Sequence, residues 1–187
     1  MQATDVARAV VETLPAALCV SALGTATSAL RAASGDGPHF YFGAAMGSAL
    51  AAALGVAEAR PDRTVVALLG DGEALMGAAT LWSVAAYRPV NLLVVVLADG
   101  RYAITGGQPL SGALHLPEVA RALGVSGERA ADYAGLCDAL RSAGPPAVIE
   151  ALVDDPTRPG PSPFVDPAKV RLRFAASAGG ATDEERA

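Results

Sequence analysis

Cysteine is scarce in this chain of 187 residues, which has Cys19 and Cys137 and no others. Neither lies at a spacing typical of a disulfide framework or of a Cys/His metal site, so we expect both to be buried thiols in a reducing compartment. The G-x-S-x-G nucleophile elbow and the G-x-G-x-x-G dinucleotide fingerprint are also missing. These absences exclude the common nucleophilic and zinc chemistries.

Positive charge is in short supply as well. The chain has 14 Lys and Arg against 19 Asp and Glu, which gives a net charge of −5 and a pI near 5.0. Nucleic-acid binding requires a basic stripe, and the few cationic residues are scattered. No apolar run reaches the roughly 18 residues of a membrane helix, and the N-terminus lacks the basic start of a signal peptide. We therefore expect a cytoplasmic protein that contacts neither nucleic acid nor membrane.

Apolar residues, in contrast, are plentiful. They make up 52% of the chain and charged residues 18%, which suits one well-packed α/β domain and is too little chain for two. We assign that domain to residues 1–174. The composition of 175–187 is small and polar, and we expect a disordered C-terminal tail there.

The central stretch, 64–108, organises the rest. An apolar β-rich run, 64–69, stops at Gly70-Asp71-Gly72; a helical pattern follows over 73–88; a second apolar run, 91–98, stops at Asp99-Gly100. Runs this short that are apolar on both faces are typical of central parallel strands joined by a crossover helix. The pattern predicts a three-layer α/β/α fold with a central, mostly parallel sheet.

The remaining elements are consistent with that fold. The pattern predicts strands at 16–21, 39–42 and 147–153, and helices at 4–14, 28–33, 43–60, 117–123 and 132–142, with a polar connection between the last two helices. The turn 24–27 after the first strand carries Thr25 and Thr27. Each can reach a ligand or simply cap the following helix.

Two carboxylates follow neighbouring strands of this predicted sheet. Ligands of such folds lie outside the carboxyl ends of the strands, so Asp71 and Asp99 are expected to be close in space. Oxygen ligands at a glycine-rich edge suit Mg²⁺, which completes its shell with phosphate oxygens and water. The free N–H groups of the helix expected from Glu73 favour a diphosphate at the same place.

These residues resemble the metal-diphosphate motif of thiamine diphosphate enzymes. The segments 102–108 and 41–47 are similar to those of phosphonopyruvate and sulfopyruvate decarboxylases, and the likeness runs from 18 to 153. The chain thus resembles the beta chain of the sulfopyruvate enzyme and the C-terminal, diphosphate-binding (PP) domain of the phosphonopyruvate enzyme. It departs from the latter at Ser48, where that enzyme has a histidine.

The resemblance implies a set of site residues. Asp71, Asp99 and the backbone carbonyl of Arg101 would hold Mg²⁺, with Asp99 in place of the family's asparagine. The residues expected to bind thiamine diphosphate are Thr25, Met46, Gly70, Asp71, Gly72, Glu73, Tyr102 and Thr105. Met46 would support the bent conformation of the cofactor or be ordinary core. Glu73 would turn toward the metal or be a helix-start acid.

The sequence does not assign a catalytic side chain of the protein itself. His39 and His115 lie near the predicted edge, but no partner for a proton-transfer role can be named for either. Arg101 is a candidate partner for an anionic substrate head group. In the resembling enzymes, a glutamate that activates the cofactor resides on a separate pyrimidine-binding (PYR) domain, for which we find no place in this chain.

We therefore expect the diphosphate-binding subunit of a split enzyme that decarboxylates a small 2-oxo acid or passes the product to a second carbonyl. It would act only with a PYR-type partner subunit, most simply as an α2β2 heterotetramer. An alternative is a non-catalytic binding or assembly subunit that retains the fold. A third is an α/β protein that uses Gly70-Asp71-Gly72 for another nucleotide or phosphate ester.

Overall fold

A computed structural model describes residues 1–35, 37–154, 160 and 166–179. In this part of the chain the helices are α1 (Ala3–Thr13), α2 (Gly24–Ser34), α3 (Ala49–Ala59), α4 (Asp71–Met76), α5 (Thr80–Tyr87), α6 (Leu116–Ala122), α7 (Tyr133–Ser142) and α8 (Pro167–Ser177). The strands are β1 (Leu18–Ser21), β2 (Phe40–Tyr41), β3 (Val65–Gly70), β4 (Leu92–Ala98), β5 (Arg101–Tyr102), β6 (Gln108–Pro109), β7 (Ser126–Ala130) and β8 (Ala147–Leu152). Within the described ranges, no helix has the length and apolar character needed to cross a membrane.

Six strands form a parallel sheet in the order β2-β1-β3-β4-β8-β7. The central strands β3 and β4 are rich in Val and Leu and buried on both faces, as parallel strands covered by helices must be. β5 and β6 pair separately as a small antiparallel hairpin.

Helices cover both faces of this sheet. Alternate residues of β3 point to opposite sides: Val66 and Leu68 pack with α1, α2 and α7, whereas Val65, Ala67 and Leu69 pack with α3, α5 and α6. The expected three-layer α/β/α fold with a parallel sheet is confirmed.

The direction of chain winding reverses between β1 and β3. From β1 the chain passes through α2 to β2 on one side, then returns through α3 to β3 on the other side. Such a switch point opens a crevice at the carboxyl ends of the two strands, where ligands of open α/β sheets bind. Residues 22–25 and 70–73 therefore lie at the most favourable place for a ligand.

The prediction of one continuous helix over 73–88 is wrong. The structure has α4 and α5, separated by a turn at 77–79. A β-carbon on Gly77 would lie 2.6 Å from the carbonyl oxygen of Gly47, so the turn brings the two backbones too close for a side chain. The helix is also entered at Asp71 rather than at Glu73.

The helix expected over 43–60 begins only at Ala49. Gly43, Ala45 and Gly47 have φ values of 72°, 59° and 86°, and a right-handed helix cannot contain alternating left-handed residues. Met46 consequently lies in the loop before α3 and not on the helix.

Other boundaries also differ from the expectation. α1 begins at Ala3 with Gln2 as its N-cap, and α2 begins at Gly24, so the predicted turn 24–27 is already helical. The polar connection before α7 contains strand β7, which lies at the edge of the sheet and is therefore largely exposed. The predicted tail is wrong at its start, because α8 continues to Ser177; residues 180–187 lie outside the described ranges.

Candidate functional site

Asp71 is held by two backbone amides at the carboxyl end of β3. Its Oδ1 accepts a hydrogen bond from the amide of Gly72 at 2.7 Å, and its Oδ2 accepts one from the amide of Gly100 at 2.6 Å. The second bond joins the two turns that follow β3 and β4, because Gly70 pairs in register with Leu97. The predicted proximity of the two turns is therefore present in the fold.

Two acids, the buried Asp71 and the half-buried Asp99, stand next to one another in these turns. Burial and, to a smaller extent, the charge of Asp99 raise the pKa of Asp71 to about 6, although the amides of Gly100 and Gly72 oppose the shift. Burial also raises the pKa of Asp99, against the amide and the charge of Arg101. The Asp99 Oδ1 accepts a hydrogen bond from the amide of Arg101 at 2.9 Å. A cation between the two carboxylates would relieve their mutual repulsion.

Gly72 and Tyr102 are in close contact on one wall of this region. A β-carbon on Gly72 would lie 2.5 Å from Cε1 of the Tyr102 ring, so the residue after Asp71 must be glycine unless the ring moves. Tyr102 belongs to the β5–β6 hairpin, which this contact places against the Gly-Asp-Gly turn. The hairpin thereby forms one side of a cavity.

The cavity lies at the switch point of the sheet. Its lining includes every residue that the sequence assigned to the cofactor or metal: Thr25, Met46, Gly70, Asp71, Gly72, Glu73, Asp99, Arg101, Tyr102 and Thr105. Sequence reasoning missed five further lining residues: Leu23, Gly24, Leu97, Ala103 and Ile104. The last two belong to the segment that carried the family resemblance, and the others are apolar or glycine at strand ends, where no chemical signal marks them.

Glu73 is buried at the edge of this cavity. Its Oε1 accepts a hydrogen bond from the amide of Ala49 at 3.3 Å, while Oε2 has no hydrogen-bond partner among the described residues. Burial raises the pKa of Glu73 to about 7, although the amides of Ala49 and Gly47 oppose the shift. Of the two expectations for this acid, the structure shows contact with a helix start, but that of α3 rather than of its own helix.

Comparison with known proteins identifies the family. The family described as "Thiamine pyrophosphate enzyme, C-terminal TPP binding domain" matches residues 24–151, which include all of the cavity residues that lie beyond Leu23. The chain belongs to this family.

Curated relatives agree with that assignment. The chain is 40% identical to phosphonopyruvate decarboxylase of Streptomyces hygroscopicus over 176 residues, covering 89% of this chain and 43% of the relative. It is 35% identical to sulfopyruvate decarboxylase subunit beta of Methanothermobacter thermautotrophicus over 155 residues, covering 80% of each. The chain thus spans less than half of the phosphonopyruvate enzyme and most of the sulfopyruvate subunit.

A solved structure shares the fold. The thiamine diphosphate-dependent 4-hydroxybenzoylformate decarboxylase of Rhodococcus jostii RHA1 superposes with a TM-score of 0.67 at 25% identity, over 84% of this chain and 33% of that one. The match supports the described sheet and its switch point as those of a thiamine pyrophosphate enzyme domain.

The residues present fit the family's cofactor and metal. The hydroxyl of Thr25 is buried at the start of α2 and has no hydrogen-bond partner within the described ranges, as expected for a donor that awaits a phosphate oxygen. In the same ranges, Asp71 and Asp99 are not part of a cluster of three or more His, Cys, Asp or Glu. Two carboxylates with carbonyl, phosphate and water oxygens suit Mg²⁺ better than zinc.

Three polar residues that the sequence suggested as candidates, Thr27, His39 and His115, do not line the cavity. The hydroxyls of Thr27 and Ser21 are 2.7 Å apart in a buried hydrogen bond, so Thr27 serves the packing of α2 on β1. His39 is buried, and burial lowers its pKa to about 4. His115 adopts a left-handed conformation as the N-cap of α6.

Proposed function

We propose that this chain is the diphosphate-binding and Mg²⁺-binding subunit of a split thiamine diphosphate-dependent enzyme that decarboxylates a small 2-oxo acid. One observation carries the proposal: ten residues from four separated segments, chosen for this chemistry, line one cavity at the switch point of the sheet. Turn residues without a common role would not be expected to line one cavity at the switch point.

In this proposal the metal is held by Asp71, Asp99 and the carbonyl of Arg101. Asp71 is already oriented by the amides of Gly72 and Gly100, so little freedom is lost when it becomes a ligand. Thr25, at the amino end of α2, donates its hydroxyl to the diphosphate, and the helix end favours that negative charge.

Bound thiamine diphosphate supplies an electron sink for the loss of carbon dioxide, and the protein supplies position and electrostatics. Met46 supports the cofactor from the loop before α3, and Tyr102 and Thr105 line the cavity from the β5–β6 hairpin region. Leu23, Leu97 and Ile104 make this part of the cavity apolar, which strengthens electrostatic interactions within it.

The substrate class follows from the relatives' names and from one exposed cation. Both curated decarboxylases act on a 2-oxo acid with an anionic head group, and Arg101 is an exposed guanidinium at the cavity. We propose that Arg101 pairs with that head group. Steady-state assays with pyruvate, phosphonopyruvate and sulfopyruvate would rank the substrates, and an unchanged ranking in Arg101→Ala would refute the pairing.

Activity is proposed to require a PYR-type partner subunit in an α2β2 assembly. One relative, of which this chain covers 80%, is named as a beta subunit. Among the described residues, Glu73 is the glutamate at the cavity, and it is engaged with Ala49 at the diphosphate end. The activating glutamate is therefore assigned to the partner.

An exposed apolar surface supports this assembly. Leu75, Met76 and Trp82, on α4 and α5 directly after the Gly-Asp-Gly turn, are exposed. Large apolar side chains exposed on elements that follow a site are typical of an interface. We name Leu75, Met76 and Trp82 the α4–α5 patch.

The test combines binding and assembly. The chain is purified alone and together with the product of the adjacent reading frame, and mass, Mg²⁺-dependent binding of thiamine diphosphate and decarboxylation are measured. We expect turnover only in the mixture, with a mass of two copies of each subunit. Full turnover by the isolated chain would refute the need for a partner, and absence of cofactor binding in the assembled protein would refute the cofactor assignment.

A non-catalytic assembly subunit is the second candidate. It is favoured by the charge of Asp99, which stands where the family has a neutral asparagine and adds to Asp71 and Glu73 near the diphosphate. Cofactor titration of the assembled protein separates the two candidates, because this one predicts partner binding without thiamine diphosphate binding.

A further inference from the structure

Helix α3 begins without a cap of its own. Ser48, the residue before its first turn, makes no side-chain capping hydrogen bond and has a right-handed helical backbone, φ −93° and ψ −23°. A capping serine normally has an extended backbone that lets its oxygen accept from an amide two or three residues later. The first amides of α3 therefore need an acceptor from elsewhere.

That acceptor is Glu73, from the first turn of α4. Its Oε1 accepts from the amide of Ala49, the first residue of α3, and the amide of Gly47 also lies near enough to affect the carboxylate. The two residues are 24 positions apart in the chain, and the bond is buried. A buried carboxylate at a helix start is favoured by both the hydrogen bond and the helix dipole.

A second contact joins the same two segments. Gly47, with φ 86°, lies against the turn after α4: a β-carbon on Gly47 would be 3.1 Å from the carbonyl carbon of Met76, and one on Gly77 would be 2.6 Å from the oxygen of Gly47. The loop 43–48 is therefore fixed to α4 at both Gly47 and Ala49. Met46, which lines the cavity, lies between Gly43 and these two fixed points.

We propose that Glu73 is a positioning residue that caps α3 from the neighbouring element and so holds the Met46 loop, residues 43–48, against the cavity. The consequence for the cofactor rests on the proposed function. The capping itself does not, since it is a property of the chain without any ligand. Glu73 then acts on the cofactor through Met46, while Asp71, two residues earlier, acts through the metal.

The test measures amide hydrogen exchange in the full chain without cofactor. Glu73→Ala removes the acceptor, and we expect exchange of the amides of Gly47 and Ala49 to rise about tenfold, the effect of losing a typical helix cap. The amide of Ser48, which donates to the carbonyl of Ala45 at 3.2 Å, should change less. Glu73→Gln keeps a carbonyl acceptor at the same reach and is expected to retain most of the protection. The matched control is Asp132→Ala. The Asp132 carboxylate caps α7 by accepting a hydrogen bond from the amide of Gly135 at 2.8 Å. Its effect should appear in α7 and not in the Met46 loop.

A cofactor measurement then separates this proposal from the proposed function. If Glu73 acts through the loop, Mg²⁺-dependent affinity for thiamine diphosphate should fall in Glu73→Ala and recover in Glu73→Gln. Unchanged exchange at Gly47 and Ala49 in Glu73→Ala would overturn the proposal. Equal loss of affinity in both variants with protected amides would also overturn it, because Glu73 would then contact the cofactor directly. Increased exchange, together with no binding of thiamine diphosphate by the protein assembled with its partner, would uphold the cap and refute the proposed function.

Discussion

The amide of Gly100 donates a hydrogen bond of 2.6 Å to the Oδ2 atom of Asp71. This one bond joins the turn after β4 to the turn after β3, and the other oxygen of Asp71 is held by the amide of Gly72. The carboxylate is thus oriented before any metal arrives, which lowers the entropy cost of binding. The same bond keeps Asp99 beside Asp71, so the fold itself holds the two carboxylates close together.

Asp71→Ala is expected to abolish Mg²⁺-dependent binding of thiamine diphosphate. Removal of a direct metal ligand should lower the affinity by more than the roughly 10–100-fold loss typical of residues that only orient a ligand. Calorimetric titration measures it, with Asp62→Ala as the control, because Asp62 is an exposed acid paired with Arg60. Unchanged affinity in Asp71→Ala would contradict the metal assignment.

Asp99→Asn is expected to bind the cofactor as well as the wild type or better. The aspartate attracts the metal but repels the diphosphate and Asp71, whereas asparagine keeps an oxygen ligand without the charge. Asp99→Leu has no ligand oxygen and should bind poorly. Equal affinity in Asp99→Leu and wild type would show that Asp99 is not a ligand.

Gly72→Ala is expected to lower the stability of the folded chain through a clash with the Tyr102 ring. The new methyl would lie 2.5 Å from Cε1 of that ring and push the β5–β6 hairpin away from the Gly-Asp-Gly turn. The double variant Gly72→Ala/Tyr102→Ala removes the clash, so its loss of stability should be smaller than the sum of the two single losses. Urea denaturation of the four proteins measures the coupling, and strictly additive losses would contradict it.

Met76→Asp is expected to disrupt association with the partner subunit. Met76 is 62% exposed in the α4–α5 patch at the cavity end of the sheet, and a buried charge in an interface is costly. Val90→Asp is the matched control, because Val90 is 71% exposed but precedes β4 at the opposite end of the sheet. Sedimentation with the partner should show dissociation for the first variant only; the same effect of both would place the interface elsewhere.

The sheet, and the place of Asp71 at the end of its strand, were predictable from the sequence because both depend on local signals. An apolar run ending in Gly-Asp-Gly defines a strand and the residue at its carboxyl end, and Asp71 is where that pattern predicts. The turn at 77–79 was missed because it packs against the backbone of Gly47, a contact that no local pattern of α4 records. The start of α3 was missed for the related reason that left-handed residues such as Ala45 are not visible in an Ala-rich and Gly-rich run.

His39 gives a pH dependence of stability that can be separated from that of the site. Burial lowers its pKa to about 4, and its Nδ1 has no hydrogen-bond partner among the described residues, so the folded chain resists protonation that the unfolded chain accepts near pH 6.5. At pH 7 the histidine is largely neutral in both states, and preferential protonation of the unfolded chain destabilises the fold as the pH falls from about 6.5 to 4. Asp71 and Glu73, with pKa values raised to about 6 and about 7, act in the opposite direction, since the folded chain holds their protons more tightly.

The variant His39→Gln removes the contribution of the histidine and leaves those of Asp71 and Glu73 in place. We expect the free energy of unfolding of the wild type, relative to His39→Gln, to drop by up to about 3 kcal/mol between pH 7 and pH 4. Urea denaturation of both proteins across this range measures it, and a difference that stays constant with pH would show that His39 is protonated equally in the folded and unfolded chains.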